Sequence, residues 1–314
     1  MINKKNNMEN IEKNIKPRKA VIAFLLSLLA LGLGHIYNGQ IKKALFFSFG
    51  LLLYVVGVYS FGIVGNFWLY FVFLIIFVAL VIFSIINATF TAYKSKEYEL
   101  KRYNKWYIYL LFTAIVYFSA LMAQNVVYET ARYWLFRGNT HTNYPSFLAG
   151  DIFLVDIGAY RHKEPDYGHL VTFSYVSSVF GKSYLASRIV GLPNDTLIIE
   201  NQVVKYRNSV PVQLCEEFKT DVFVDVFLNE KFTMEILTEF LPNGTKYRFA
   251  RKLRHSLSKA GTSQRIIVPE NSYLVWGDNR DFSDFKFIER EQIRGRVLAI
   301  YFNRRDLTRI NRRL

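Results

Sequence analysis

The 314-residue chain is 51% hydrophobic and 17% aromatic, too long and too apolar for one ordinary soluble domain. Its formal net charge of +15 accompanies long uncharged apolar runs, so the excess Lys and Arg read as residues that hold membrane loops in the cytoplasm. No aromatic-and-basic reading face of a nucleic-acid module is present, and the single cysteine, Cys215, cannot close an intrachain disulfide.

Residues 1–19 are polar and basic, with Lys4, Lys5, Lys13, Lys16, Arg18 and Lys19 against Glu9 and Glu12, and read as a cytoplasmic tail. Residues 20–130 are the membrane region. Its first apolar segment, 20–37, is short against the ~20 residues a helix needs to cross a bilayer, and reads as re-entrant or interfacial. It is not a cleavable leader, because further spans follow at once and no small-x-small site closes it. The segment runs into the turn-rich Gly34-His35-Ile36-Tyr37-Asn38-Gly39-Gln40, followed by Lys42 and Lys43.

Residues 44–93 contain no Asp, Glu, Lys or Arg and are interrupted at 62–66, which predicts spans at about 44–62 and 67–93. A basic hinge of Lys94, Lys96, Lys101, Arg102 and Lys105 precedes a third span at about 106–128. Three crossings put the tail, Lys42, Lys43 and the hinge inside and everything after about residue 130 outside, as the positive-inside rule requires. Four crossings would break that rule at one end or the other. The β domain is therefore expected on the extracytoplasmic side of a plasma or inner membrane.

From residue 131 the texture changes to short β-like runs at 152–155, 169–175, 184–190, 196–199, 203–206, 221–227, 246–250, 272–276 and 296–302, most of them separated by polar or Gly/Pro/Asn turns. These predict a mainly antiparallel β domain over 131–302. Residues 303–314 carry Arg304, Arg305, Arg309, Arg312 and Arg313 and read as a solvated basic tail, with anionic headgroups as the lesser alternative.

Three stretches carry chemistry. The first is Thr140-His141-Thr142-Asn143-Tyr144-Pro145-Ser146-Phe147-Leu148-Ala149-Gly150-Asp151. The second is Ser187-Arg188-Ile189-Val190-Gly191-Leu192-Pro193-Asn194-Asp195, and the third Gly277-Asp278-Asn279-Arg280-Asp281-Phe282-Ser283. Taken singly, the second and third are good turns in any β protein. In this order they resemble the boxes of type I signal peptidases, membrane-bound serine endopeptidases, and the resemblance covers roughly residues 125–302. It implies helical membrane spans followed by a β domain of signal-peptidase type, with membrane lipid and signal-peptide-like segments of exported proteins as partners. It implies no cofactor, and no Cys/His cluster at metal-ligand spacing is visible either.

In that family a serine attacks and a lysine, kept neutral by an apolar pocket, takes its proton. Carried over by position, Thr142 takes the nucleophile place, Ser187 the lysine place, Thr140 the hydroxyl of the oxyanion hole and Ser283 the hydroxyl that supports the lysine. Pro145, Gly150, Asp151, Arg188, Gly191, Pro193, Asp195, Gly277, Asp278, Asn279, Arg280 and Asp281 keep the frame. Ser187 has no basic lone pair near neutral pH, and Asn143 stands where the family has methionine. After Ser283 the chain runs Asp284-Phe285-Lys286 where the family has Asp-Ser-Arg.

These departures predict a degenerate relative that binds signal-peptide-like segments or a partner without Ser/Lys hydrolysis. A first alternative is an active endopeptidase in which Thr142 attacks and the base comes from His141, His162, His169, Lys163, Lys182 or Lys286. A second is a membrane scaffold that works through its N-terminal helices, motivated by the Gly-rich segment at 33–40.

Overall fold

The computed structural model describes residues 17–101, 103–177, 181–206, 215–225, 230–252 and 263–314. Most of the tail expected at 1–19 lies outside the described residues, as do the last two residues of the strand expected at 221–227. The chain forms two compact units, Met1–Arg132 and Tyr133–Leu314.

The first unit holds α1 (Ala20–Leu29), α2 (Leu33–Tyr37), α3 (Ile41–Ser60), α4 (Phe67–Lys94) and α5 (Trp106–Thr130). The last three are long and apolar enough to cross a membrane. Their outward faces carry bulky apolar side chains such as Leu53, Trp68, Ile86 and Leu110, the pattern expected where the solvent is lipid. With ten residues, α1 is about 15 Å long, half of what the hydrocarbon layer demands. It ends at Leu29, and the turn into α2 passes through Gly32, whose φ of +90° no side chain adopts comfortably and whose added Cβ would lie 2.6 Å from the carbonyl oxygen of Ala44.

Polar contacts sort the helix ends of this unit. Asn104 donates to the carbonyls of Ile36 and Tyr37, Tyr103 to that of Gly39, and Lys43 to Asn87. The backbone amide of Arg18 reaches the carbonyl of Ser95. The start of α3, the end of α4 and the start of α5 therefore meet at one end, together with the basic hinge. Ser60 and Thr130, at the far ends of α3 and α5, are hydrogen-bonded at 2.7 Å.

The second unit is antiparallel throughout its strand ladders. Its main sheet runs β1 (Tyr133–Arg137), β2 (Asp151–Asp156), β13 (Ile293–Asn303), β3 (Leu170–Ser177), β4 (Gly181–Gly191), β11 (Ser272–Trp276) and β12 (Lys286–Glu289), with β14 (Arg312–Arg313) also paired to β13. Beside it lie two three-stranded sheets. One is β10 (Gln264–Ile267), β5 (Thr196–Glu200) and β6 (Val203–Tyr206); the other is β7 (Cys215–Asp225), β8 (Glu230–Phe240) and β9 (Lys246–Lys252).

Central strands are buried on both faces. Tyr273 and Val275 of β11 pack with Phe173, Ile189 and Ile288, while Leu274 and Trp276 pack with Val190, Leu197 and Phe249. Successive side chains of a strand point to opposite faces, so a run such as Tyr-Leu-Val-Trp feeds two cores at once. A third cluster of Phe147, Phe153, Val155, Leu170, Val297 and Ile300 lies under the loop between β1 and β2.

Several strands depart from the sequence expectation. β1, β10 and β12 were not expected, and β8 pairs along β7 and β9 where only 221–227 and 246–250 were anticipated. The solvated tail expected at 303–314 is corrected as well. Its Arg309 is buried against the Asp151 carboxylate of the first box, and its Arg312–Arg313 strand pairs with β13.

Candidate active site

The first box is the loop between β1 and β2. Its ends are tied by hydrogen bonds from the Gly138 amide to the Asp151 carbonyl and from the Gly150 amide to the Gly138 carbonyl. Its tip is held by the third box: the Asn279 amide donates to the Thr142 carbonyl at 3.0 Å and the Asn279 side chain to the His141 carbonyl at 3.2 Å. Gly277 makes this approach possible. A Cβ there would lie 2.3 Å from the Thr142 carbonyl oxygen, a distance no backbone tolerates.

These contacts leave a cavity of about 330 Å³ whose lining includes Thr140, Thr142, Asn143, Ser187, Ser283 and Lys286. The Thr140 and Thr142 hydroxyls are 3.0 Å apart. Ser283 donates to the Asn279 carbonyl at 2.6 Å and approaches that of Gly277 at 3.2 Å. Ser187, on β4, donates to its neighbour's carbonyl, that of Ala186, at 2.8 Å. The four hydroxyls singled out in the sequence thus share one cavity, but only Thr140 and Thr142 bond to each other.

Asn143 fills the gap between Thr142 and β4. Its amide nitrogen donates to the Ala186 carbonyl at 2.8 Å and to Thr142 Oγ1 at 3.2 Å. A carbonyl can only accept, so the atom facing Ala186 is the nitrogen and its second hydrogen is free for Thr142. Thr142 Oγ1 is then an acceptor there, and the neutral Thr140 hydroxyl is its other partner. Among the described residues no amine or imidazole hydrogen-bonds this oxygen.

The candidate bases are scattered. His162 and Lys163 sit on an exposed turn, and the Lys182 side chain lies outside what is described. His169 is committed elsewhere: its Nδ1 accepts from the Tyr160 hydroxyl at 3.0 Å and the Asp166 amide at 3.2 Å. Burial, with Arg296 nearby, lowers its pKa to about 4, so it is neutral, with the proton on Nε2. Lys286 does line the cavity, with its ammonium 4.8 Å from the centre of the Tyr175 ring.

Buried ion pairs lock the frame. Arg188 donates to both carboxylate oxygens of Asp278 at 2.8 and 2.7 Å, to the Gly168 carbonyl and to Ser146, which itself donates to Asp278. Burial works against the Arg188 charge, but Asp278 outweighs it and raises the pKa. One residue from each box meets here. Arg280 pairs with Glu239 of β8, which also accepts from the Tyr247 hydroxyl and the Val204 amide, and its guanidinium lies 3.9 Å from the centre of the Trp276 ring. Asp281 accepts from Gln202 and the Lys252 amide.

Asp151 receives Arg309, Asn303 and the Leu148 amide. Asp195 closes the β4–β5 turn by accepting from the Leu192 amide and the Tyr167 hydroxyl, both at 2.6 Å, with Pro193 inside the turn. A Cβ on Gly191 would lie 3.0 Å from Leu274 and 3.1 Å from Val268, tighter than ordinary contact, and Pro145 follows a cis peptide bond. Sequence reasoning missed Arg309, Glu239 and Tyr247. The signal for Glu239 was a charged residue inside an alternating strand; for Arg309 there was none beyond the abundance of arginine.

A family model described as signal peptidase, peptidase S26, matches residues 104–302. The chain is also similar to Signal peptidase I of Aquifex aeolicus (strain VF5), 25% identical over 185 residues that cover 51% of this chain and 72% of that one.

Proposed function

Because the chain belongs to the signal peptidase family, peptidase S26, we propose that it is a membrane-anchored relative that binds signal-peptide-like segments without Ser/Lys hydrolysis. The carrying observation is the position of Asn143. Its amide donates to the Thr142 hydroxyl at 3.2 Å and to the carbonyl of Ala186, the neighbour of the lysine position, at 2.8 Å. A donor there occupies a lone pair of the nucleophile and cannot remove its proton. Ser187, with a hydroxyl turned to Ala186, supplies no base.

The binding function rests on the cavity, which combines apolar walls from Phe136, Phe147 and Phe153 with the polar rim already described. Such a site suits the small apolar side chain and extended backbone of a peptide. The arrangement of helix ends supports an extracytoplasmic β unit. The basic hinge and Lys43 cluster at one end of the first unit, while α5 leaves from the other.

The test uses purified full-length chain with a fluorescent signal-peptide substrate. The expected result is saturable binding with the peptide left intact. Cleavage that disappears in Thr142→Ala would overturn the proposal. One observation favours a second reading, an active enzyme with a relocated base: Lys286 lines the same cavity. In that case cleavage would vanish in Lys286→Met as well.

A further inference from the structure

A second cavity of the β unit, about 180 Å³, is lined by Pro145, Ser146, Arg188, Lys246, Tyr247, Arg248, Arg312, Arg313 and Leu314. Five of these carry cationic side chains and none an acidic side chain. Arg188 is matched by Asp278, whereas Lys246, Arg248, Arg312 and Arg313 make no side-chain hydrogen bond or ion pair among the described residues. Lys246 and Arg248 are two apart on β9 and therefore project from one face. Arg312 and Arg313 come from β14, brought there by its pairing with Ala299 and Ile300 of β13.

Gathering four like charges around a concave surface costs electrostatic energy that water and salt relieve only in part. The Arg312 pKa is lowered, first by burial and then by Arg309 and Arg248, with Asp151 and Asp306 pulling the other way. Four cations round one concave surface suit the double charge of a phosphate better than the single charge of a carboxylate, and the guanidinium forks of Arg248, Arg312 and Arg313 can hydrogen-bond its oxygens. The cavity has room for such a group with several waters.

We infer that the cavity between β9 and β14 is a binding site for a phosphate-bearing anion, held by Lys246, Arg248, Arg312 and Arg313. The inference is independent of whether Thr142 attacks, since none of the four lines the cavity around Thr142. In a chain with three membrane-spanning helices, phospholipid headgroups are the phosphate source at highest local concentration. A soluble phosphoester carries the same chemistry.

The experiment compares full-length wild type, in uncharged detergent, with Lys246→Gln/Arg248→Gln/Arg312→Gln/Arg313→Gln. All four positions are exposed, and equal melting curves check folding; the pair Lys246→Gln/Arg248→Gln serves should the quadruple variant unfold. Inorganic phosphate is titrated at constant ionic strength against acetate as control. Saturable binding to wild type, weakened roughly tenfold or more in the variant, is expected. Equal binding by both proteins, or equal response to acetate, overturns the inference.

Source is read by competition. Displacement of phosphate by vesicles of phosphatidylglycerol in phosphatidylcholine, but not by pure phosphatidylcholine, assigns the site to lipid. Displacement by glycerol phosphate alone assigns it to a soluble phosphoester. Displacement by duplex DNA at far lower concentration than either assigns the surface to nucleic acid and overturns the inference.

Discussion

Asn143 donates one amide hydrogen to the Ala186 carbonyl and the other to Thr142 Oγ1, at 2.8 and 3.2 Å. It thereby bridges the nucleophile position and the strand that carries the base position. Replacing Thr142 and Ser187 alone leaves that bridge in place. Thr142→Ser with Ser187→Lys is therefore expected to stay inactive. Adding Asn143→Met should raise cleavage of a signal-peptide substrate by roughly 10²–10⁴-fold, the range a general base supplies. Equal activity of the double and triple variants would show that Asn143 is no obstacle.

Arg309 neutralises the fully buried Asp151. Removing one member of such a pair strands the other charge, so Arg309→Ala should destabilise the β unit by about 3–5 kcal/mol in denaturant unfolding. Arg305→Ala, at an exposed neighbour, should cost no more than about 0.5 kcal/mol. Adding Asp151→Asn to Arg309→Ala should recover part of the loss.

Gly277→Ala places a methyl group 2.3 Å from the Thr142 carbonyl oxygen and 2.6 Å from Ser283 Oγ. The first of these is backbone and cannot swing aside, so the loop must shift and the Asn279–Thr142 hydrogen bond lengthen. A loss of about 1–3 kcal/mol is expected, together with weaker peptide binding. Gly244→Ala, with φ +80° but nothing within 4 Å of an added Cβ, should cost about 1–2 kcal/mol from backbone strain and leave binding unchanged.

His169 should make the β unit acid-sensitive. Its usual pKa of 6.5 falls to about 4 in the fold, so the unfolded chain binds a proton that the folded one refuses. Stability from this ring is complete above pH 6.5 and lost as pH falls toward 4. In His169→Asn, whose Oδ1 can replace Nδ1 as acceptor, unfolding curves across that window should flatten. An unchanged pH slope would assign the sensitivity elsewhere.

The membrane half was legible because span length and charge exclusion are properties of contiguous residues. The uncharged runs at 44–93 and 106–128 map onto α3, α4 and α5 within a few residues at each end. Strands with simple alternation or double burial, such as β11, were equally readable. β8 was not, because its buried Glu239 answers to Arg280 and Tyr247, and a carboxylate inside a strand argues for a surface unless the partner is known. β12 is four residues long and carries Lys286 and Glu289 at its ends, too little pattern to register. Spacing revealed the three boxes, but the ion pairs that hold them depend on residues 90 and 158 apart, Arg188 with Asp278 and Arg309 with Asp151.

That last separation sets an order of events during synthesis. At roughly 5–20 residues per second, the 158 residues between Asp151 and Arg309 take roughly 8–30 s to translate. Through that interval the carboxylate at the base of the first box has no guanidinium, and the loop it anchors cannot settle. The loop of the first box therefore gains its Arg309 anchor only after nearly the whole β unit has been made.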